Sequence, residues 1–295
     1  MTGKTGFGEK VFNVINTLIM IFVIIITLYP MMHVLFASFS DGVELMMHRG
    51  VLLHPLGFTT DAYKLVFDNP ILLNGYINTI TLVLVGVTVN IILTSITAYF
   101  VSRKNVMWNR LMMFLIVITM YFNGGLIPNY LNIKQLGLYD TIWALILPGA
   151  ISSYNMIIMR TAFLSVPDSL EEAARIDGAN HFTILFRILF LLIMPTVAVL
   201  ILYYAVGHWN GWFNAMIYLK SRTKYPLQLI LREILINNDS SSMVATATGD
   251  TGDKLAISET VRYATIIVAT LPILFVYPFL QKYFVKGVMI GAVKG

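Results

Sequence analysis

The sequence predicts an all-α, polytopic membrane protein with six transmembrane helices. Three observations carry this expectation. Of 295 residues, 57% are hydrophobic and 12% charged, with a mean hydropathy of +0.76, a balance foreign to soluble domains. Six stretches lack Asp, Glu, Lys and Arg, and each can hold the roughly 20 residues of a spanning helix. Lys and Arg gather in alternate connecting segments, as topology requires.

The six stretches are Val11–Ser40, Asn69–Ser102, Leu111–Ile133, Thr141–Met159, Ile188–Leu219 and Tyr263–Gln281. The first is too long for a signal-peptide core and no small-residue cleavage site follows, so it reads as a retained span. The third ends in Asn123-Gly-Gly-Leu-Ile-Pro128, whose glycines and proline break a helix. The fourth is the shortest, with Trp143 as an interfacial anchor. The fifth closes on His208-Trp-Asn-Gly-Trp-Phe-Asn214.

With the N-terminus inside, the inner segments hold Lys4, Lys10, Arg103, Lys104, Arg110, Arg160, Arg175, Arg187, Lys282, Lys286 and Lys294. The two shorter outer loops hold only Arg49, Lys64 and Lys134. Both termini are therefore expected in the cytoplasm. The first outer loop has a turn region at Pro55–Gly57. The third contains a helical pattern at Pro226–Leu235 and then a Ser/Thr/Gly/Asp stretch, Asn237–Asp253. The net charge of +5 reflects the basic inner segments, not a nucleic-acid partner.

Several chemistries are missing. The chain has no cysteine, and its five histidines form no metal-ligand spacing. No G-x-x-x-x-G-K-[ST] loop is present, so any ATP energy must come from a separate subunit. No span holds an ionisable carboxylate or amine, which weighs against an ion-coupled carrier acting alone. That alternative stays open at this point, because backbone carbonyls can bind sodium. No span holds a nucleophile with a base, so a membrane enzyme is not indicated.

The spans do contain neutral polar groups. Asn78, Thr79, Asn90, Thr94 and Ser95 lie on the second. Ordinarily such groups join helices. As a set they also suit a neutral polyol, with aromatic faces for sugar C–H surfaces and amides for hydroxyls. Tyr121, Asn123, Tyr154, Asn155, Tyr204 and Asn210 are the candidate substrate contacts.

Ser165-Val-Pro-Asp-Ser-Leu-Glu-Glu-Ala-Ala-Arg-Ile-Asp-Gly-Ala-Asn-His181 is the plainest polar helix between apolar runs. Ser165 and Asp168 fit a capping box, and Pro167 fits the first turn. Asp168, Glu171 and Glu172 complement the helix dipole, and Gly178 supplies a left-handed stop. Leu170, Ala173, Ala174 and Asp177 are expected on one small, flat face open to a partner.

Glu172-Ala173-Ala174, three residues, then Gly178, with Ile188 and Pro195 beyond, resembles the EAA loop of binding-protein-dependent ABC importer permeases. Leu191 stands where that family often has proline. Asn78-Thr79 through Ala98-Tyr99, Phe58–Tyr63 and Lys286–Gly295 are similar to further segments of carbohydrate-type permeases of this family. Tyr121-Phe-Asn-Gly-Gly-Leu-Ile-Pro128 resembles a subgroup that imports complex oligosaccharides such as alginate or pectin fragments.

The resemblance implies the type I ABC importer permease fold in a bacterial cytoplasmic membrane, acting by alternating access. It implies a terminal helix and loop at 1–68, a permease core at 69–281 with its EAA loop at about 165–187, and a cytoplasmic tail at 282–295. It implies a second permease subunit, a cytoplasmic ATPase dimer that binds ATP and Mg, and an extracytoplasmic solute-binding protein. This chain itself would hold no cofactor. Glu171, Glu172, Ala173, Ala174, Arg175, Asp177 and Gly178 would couple it to the ATPase, and the tail would insert between the ATPase subunits.

Overall fold

The computed structural model describes residues 6–236 and 256–275, all helix, turn and loop with no strand among them. The 282–295 tail, the end of the sixth expected span and the Asn237–Asp253 stretch lie outside the described residues. The described chain groups into two compact units. One is drawn from the chain up to Asn69 and Glu233–Leu271, the other from Pro70–Arg232 and the chain after Leu271.

In the first unit, α1 (Phe7–Ser38) is a 32-residue apolar helix, about 48 Å long at 1.5 Å per residue. It outreaches the hydrocarbon core of a bilayer, which is about 30 Å thick. Its far end is held by the loop that follows. Asp41 caps α2 (Gly42–Met47) by accepting from the N–H groups of Val43 and Glu44. Phe39 stacks on Phe58, with ring centroids 5.5 Å apart. From α3 (Asp61–Phe67), the Tyr63 hydroxyl lies 2.7 Å from Ser38 Oγ.

The second unit is organised around α4 (Pro70–Ser102), 33 residues long. α5 (Asn109–Tyr121) and α6 (Leu126–Gln135) follow, bent by 114°. The bend is built by Gly125 at φ +86 and by Asn123 Oδ1, which accepts from Gly125 N–H at 3.0 Å. α7 (Trp143–Ile146), a 3-10 turn at Leu147–Gly149 and α8 (Ser153–Leu164) come next. Then comes α9 (Asp168–Ile176). His181–Leu192, here α10, meets Met194–Trp209, here α11, at 90°. α10 carries a π-helical stretch at Ile184–Leu189. Pro195 at the start of α11 removes a helical donor, so the ladder breaks beside Ile193. α12 (Phe213–Tyr218) and α13 (Leu227–Ile236) follow. Ala256–Phe275, here α14, is the last described helix; up to Leu271 it belongs to the first unit, as does α13 from Glu233.

The fold class is as expected, but the spans are less regular than six continuous helices. Among the described residues three helices are long and apolar enough to cross a membrane, or up to five if each bent pair counts as one. Thr141–Met159 is not one helix. Pro148 and Gly149 lie in the 3-10 turn and Ser152 starts a new helix as its N-cap, so the fourth segment is broken at its centre. The third and fifth are bent pairs.

The core of the second unit runs from mid-α4 to its Ser102 end. Ala98, Tyr99 and Val101 of α4 pack with Met156, Met159 and Phe163 of α8. Ala174 of α9, Ile184, Leu185 and Leu189 of α10, and Val197 and Leu200 of α11 complete it. Close packing of α4 on α11 depends on Gly86, where a Cβ would sit 2.6 Å from His208 Nε2.

Candidate functional site

Two polar constellations stand on α4, one at mid-helix and one at its Ser102 end. The first answers the break in the fourth segment. A broken helix frees carbonyl and N–H groups, which are costly away from water unless another element bonds them. Asn90, fully buried, donates its amide N–H groups to the carbonyls of Gly149 at 3.0 Å and Ala150 at 2.9 Å. Its Oδ1 lies 2.7 Å from His208 Nε2, which sets the protonated nitrogen of that ring as Nε2. Tyr204 Oη accepts from Ser152 N–H at 3.1 Å and pairs with Thr94 Oγ1 at 2.8 Å. Nearer the other end of α4, Asn78 donates to the carbonyls of Thr223 and Tyr225, and Thr79 Oγ1 accepts from Leu227 N–H at 2.8 Å.

This divides the expected substrate contacts. Tyr204 and Asn155 are buried within the chain, and the Tyr204 hydroxyl is committed to Ser152 and Thr94. The reading of these groups as helix–helix joints fits Tyr204, which bonds α4 and the start of α8. Tyr121, Asn123, Tyr154 and Asn210 are exposed. Thr119 Oγ1 meets Ser153 Oγ at 3.1 Å, so the end of α5, with Tyr121 its last residue, stands beside the start of α8 with Tyr154. Asn210 caps the far end of α11 and is separate from that group.

The second constellation fixes α9. Its end is a Schellman motif: Gly178 sits at φ +80, Gly178 N–H donates to Arg175 O at 3.0 Å, and Ala179 N–H to Ala174 O at 2.9 Å. The expected glycine stop is therefore present. The expected capping box is not. Ser165 still terminates α8, and its hydroxyl donates back to Ala162 O at 2.7 Å, while Pro167 directly precedes α9 without a side-chain cap. The start of α9 is held by charge instead, with Lys104 Nζ 2.8 Å from Asp168 Oδ2. The Lys104 hydrogen bond and charge hold the Asp168 carboxyl below its usual range.

The face expected to be open is split. Leu170, Ala173 and Asp177 are exposed, and Ile176 is 86% exposed, whereas Ala174 is 8% exposed and packs into the core of this chain. Glu171, one turn before Ala174, turns inward with it at 5% exposure, while its neighbour Glu172 is exposed. Glu171 Oε1 accepts from Arg175 Nη2 at 2.6 Å and from Tyr99 Oη at 3.3 Å. Glu171 Oε2 accepts from Arg103 Nη1. The Arg103 guanidinium lies over the Tyr99 ring, 5.0 Å from its centroid, and Arg103 Nε donates to Ser102 Oγ at 3.0 Å. His181 Nδ1 lies 2.8 Å from Tyr99 Oη. Since Tyr99 gives its one proton to Glu171, His181 donates from Nδ1. Two guanidiniums and a phenol thus surround one buried carboxylate, the arrangement a buried charge requires.

Arg103, Tyr99 and His181 were not singled out from sequence. Tyr99 and Arg103 are four residues apart at the end of a span, and Glu171 and Arg175 are four apart on a helix. Both are pairs that share a face. Nothing in the sequence joins the two pairs. On the opposite end of the second unit, Asp140, at φ +59, accepts from Ser221 Oγ at 2.6 Å, from the N–H groups of Lys220 and Ser221, and from Lys224 Nζ at 2.9 Å. The Ser221 hydrogen bonds, with Lys224, hold this carboxyl far below its usual range. Among the described residues no group of His, Asp and Glu could hold a metal ion.

Comparison with known proteins matches residues 6–290 to the model of the family described as binding-protein-dependent transport system inner membrane component. The chain is 42% identical to Protein LplC of Bacillus subtilis (strain 168) over 287 residues, covering 97% of this chain and 96% of that protein. It is 40% identical to the polygalacturonan/rhamnogalacturonan transport system permease protein YtcP of the same organism over 271 residues, 92% of this chain and 94% of that one. Among solved structures it is similar to a chain of a bacterial ABC transporter involved in the import of the acidic polysaccharide alginate. The TM-score is 0.88 and the identity 32%, with 96% of this chain and all of that chain covered.

Proposed function

The chain belongs to the family of binding-protein-dependent transport system inner membrane components and is an ABC importer permease, not an enzyme; from that premise we propose that it carries an oligosaccharide, with acidic chains of the pectin or alginate type the first to test. Membership removes the self-powered carrier as an alternative. In this reading a second permease subunit completes the pathway, a cytoplasmic ATPase dimer binds ATP and Mg, and an extracytoplasmic binding protein delivers the sugar. The Lys/Arg-rich end, with both termini, faces the cytoplasm of a bacterial cell.

The observation that carries the reading is the outer face of α9. Leu170, Ala173 and Ile176 are apolar and exposed on an otherwise polar helix, and an apolar stripe on a polar helix suits a groove in a partner protein. ATP-driven closure of the ATPase dimer moves α9, and the spans answer as rigid bodies, opening the pathway alternately to each side. Tyr121, Asn123 and Tyr154 at the α5–α8 junction, with Asn210, meet the sugar, the aromatic rings stacking and the amides bonding hydroxyls.

Affinity purification of the tagged chain from its native membrane tests this reading. The expected result is recovery of an ATPase and a second permease in stoichiometric amounts. In liposomes, the recovered complex should hydrolyse ATP faster with binding protein loaded with oligogalacturonide or oligoalginate than with the sugar-free form. Purification as a single component that transports without ATP overturns the reading.

A further inference from the structure

Glu171 and Glu172 are adjacent, yet they face opposite ways, and the buried one does not touch the surface that a partner would meet. We infer that Glu171 is a positioning residue that ties α9 to α4, so that displacement of α9 is delivered to α4 and not taken up by the α8–α9 connector. The inference rests on the permease reading above and adds the route by which movement leaves the coupling helix.

The connector is thin. Ser165, Val166 and Pro167 are all that separate α8 from α9, and Asp177, Gly178, Ala179 and Asn180 separate α9 from α10. A helix joined only by such turns could pivot without moving the spans. Arg103 lies just past the end of α4, joined to Glu171 Oε2, and its guanidinium rests on Tyr99 of α4. Tyr99 itself donates to Glu171 Oε1. Both carboxylate oxygens are thus bonded to the same end of one long helix, and Arg103 O is fixed in turn by Asn109 Nδ2 at 2.7 Å. The pair is buried, so water competes with it little, and its separation would leave charge without a partner. The exposed Lys104–Asp168 pair runs parallel to it but is open to solvent, where such pairs hold weakly.

α4 is also the element that meets the broken fourth segment. Asn90 lies nine residues before Tyr99, about 14 Å along a helix, and holds the Gly149 and Ala150 carbonyls. A push on the Ser102 end of α4 therefore reaches the break beside Tyr154 through one rigid helix. Without the Glu171 tether, that push is left to the Ala174 packing contact and the exposed Lys104–Asp168 pair.

The test uses the whole reconstituted importer. Glu171→Gln keeps the shape and removes the charge. It should lower sugar uptake per ATP hydrolysed at least tenfold, while the purified complex retains its ATPase subunits. Glu171→Asp, which keeps the charge, should lie between Gln and native. The chain has no cysteine, so Lys104→Cys with Asp168→Cys can be joined by a short bismaleimide across the same two elements. In the Glu171→Gln background that link should restore uptake per ATP at least threefold. Uptake per ATP within twofold of native in Glu171→Gln overturns the inference. So does a loss that the link fails to restore, which would reflect disturbed packing. Failure of the permease reading shows itself separately, as a native chain that recruits no ATPase.

Discussion

Tyr204 Oη accepts the N–H of Ser152 at 3.1 Å, so a side chain of the fifth span completes the backbone of the fourth. Tyr204→Phe removes that acceptor and leaves both Ser152 N–H and Thr94 Oγ1 short of a partner. An unsatisfied buried polar group costs about 1–3 kcal/mol. The variant should lower the melting temperature of the complex in detergent without changing the sugar concentration giving half-maximal uptake. A selective change in that concentration, with stability intact, would put Tyr204 in the substrate path after all.

The helix-to-helix approach at Gly86 gives a second expectation. A methyl there meets His208 Nε2 at 2.6 Å, and that ring is held by Asn90. Gly86→Ala should destabilise the fold by about 1–3 kcal/mol, the usual cost of overpacking. Adding His208→Ala should relieve part of the clash at the expense of the Asn90 bond. Thermal unfolding of the single and double variants measures the coupling, and strict additivity would show that the helices yield elsewhere.

What the sequence disclosed and what it withheld divide along one line. Features written in local chemistry were legible: the uncharged stretches of α1 and α4, the bend at Asn123–Gly125, and the Gly178 stop. Features that depend on a second helix were not. Thr141–Met159 carries no charged residue, so the segment reads as a span, although Pro148-Gly149 within it is a local helix-breaking signal. Its break is tolerated because Asn90 and Tyr204, 50 or more residues away in sequence, bond the freed backbone. Ser165 reads as a capping residue by spacing, but α8 runs up to it and claims its hydroxyl. Ala174 reads as surface because it neighbours Ala173. Only the packing of α9 on α4 and α8 shows that the two alanines part company.

At the end of the second unit opposite α9, the Asp140 carboxyl is held far below its usual range by Ser221 and Lys224. A depressed folded pKa means stability that is fully present above the unfolded value of about 3.9 and is lost as pH falls through the lower folded value. The clasp should therefore survive acidification to pH 4 and loosen only in stronger acid. Asp140→Asn should remove that protection at every pH above 4. Proteolysis of the 220–224 segment across a pH series reads this out. Equal cleavage of native and Asn forms at pH 7 would show that the clasp holds nothing.

Gly178 offers room but the wrong conformation. A Cβ would meet nothing within 4 Å, yet φ is +80, so only backbone strain opposes substitution. Asn should be tolerated, Ala should cost about 1 kcal/mol, and Val, being β-branched, more. Coupled ATP hydrolysis and uptake in liposomes should fall in that order, with membrane insertion unchanged. Native retention of ATPase and native uptake in Gly178→Val would reduce the loop to a connector.

The two alanines of the Glu-Glu-Ala-Ala run should respond differently to the same change. Ala174 is packed against the core formed by α4, α8 and α10, so Ala174→Leu forces about three extra carbons into filled space and should destabilise the permease alone, by about 1–3 kcal/mol. Ala173 points outward, so Ala173→Leu should leave the permease as stable as native but weaken its hold on the ATPase by crowding the proposed groove. Glu172→Lys, on the same exposed side, should act as Ala173→Leu does, and the unfavourable charge near the helix start adds to it. Melting of the isolated permease and retention of ATPase on purification separate the two effects. If Ala173→Leu and Glu172→Lys both retain the ATPase fully, the partner meets this chain somewhere other than the exposed face of α9.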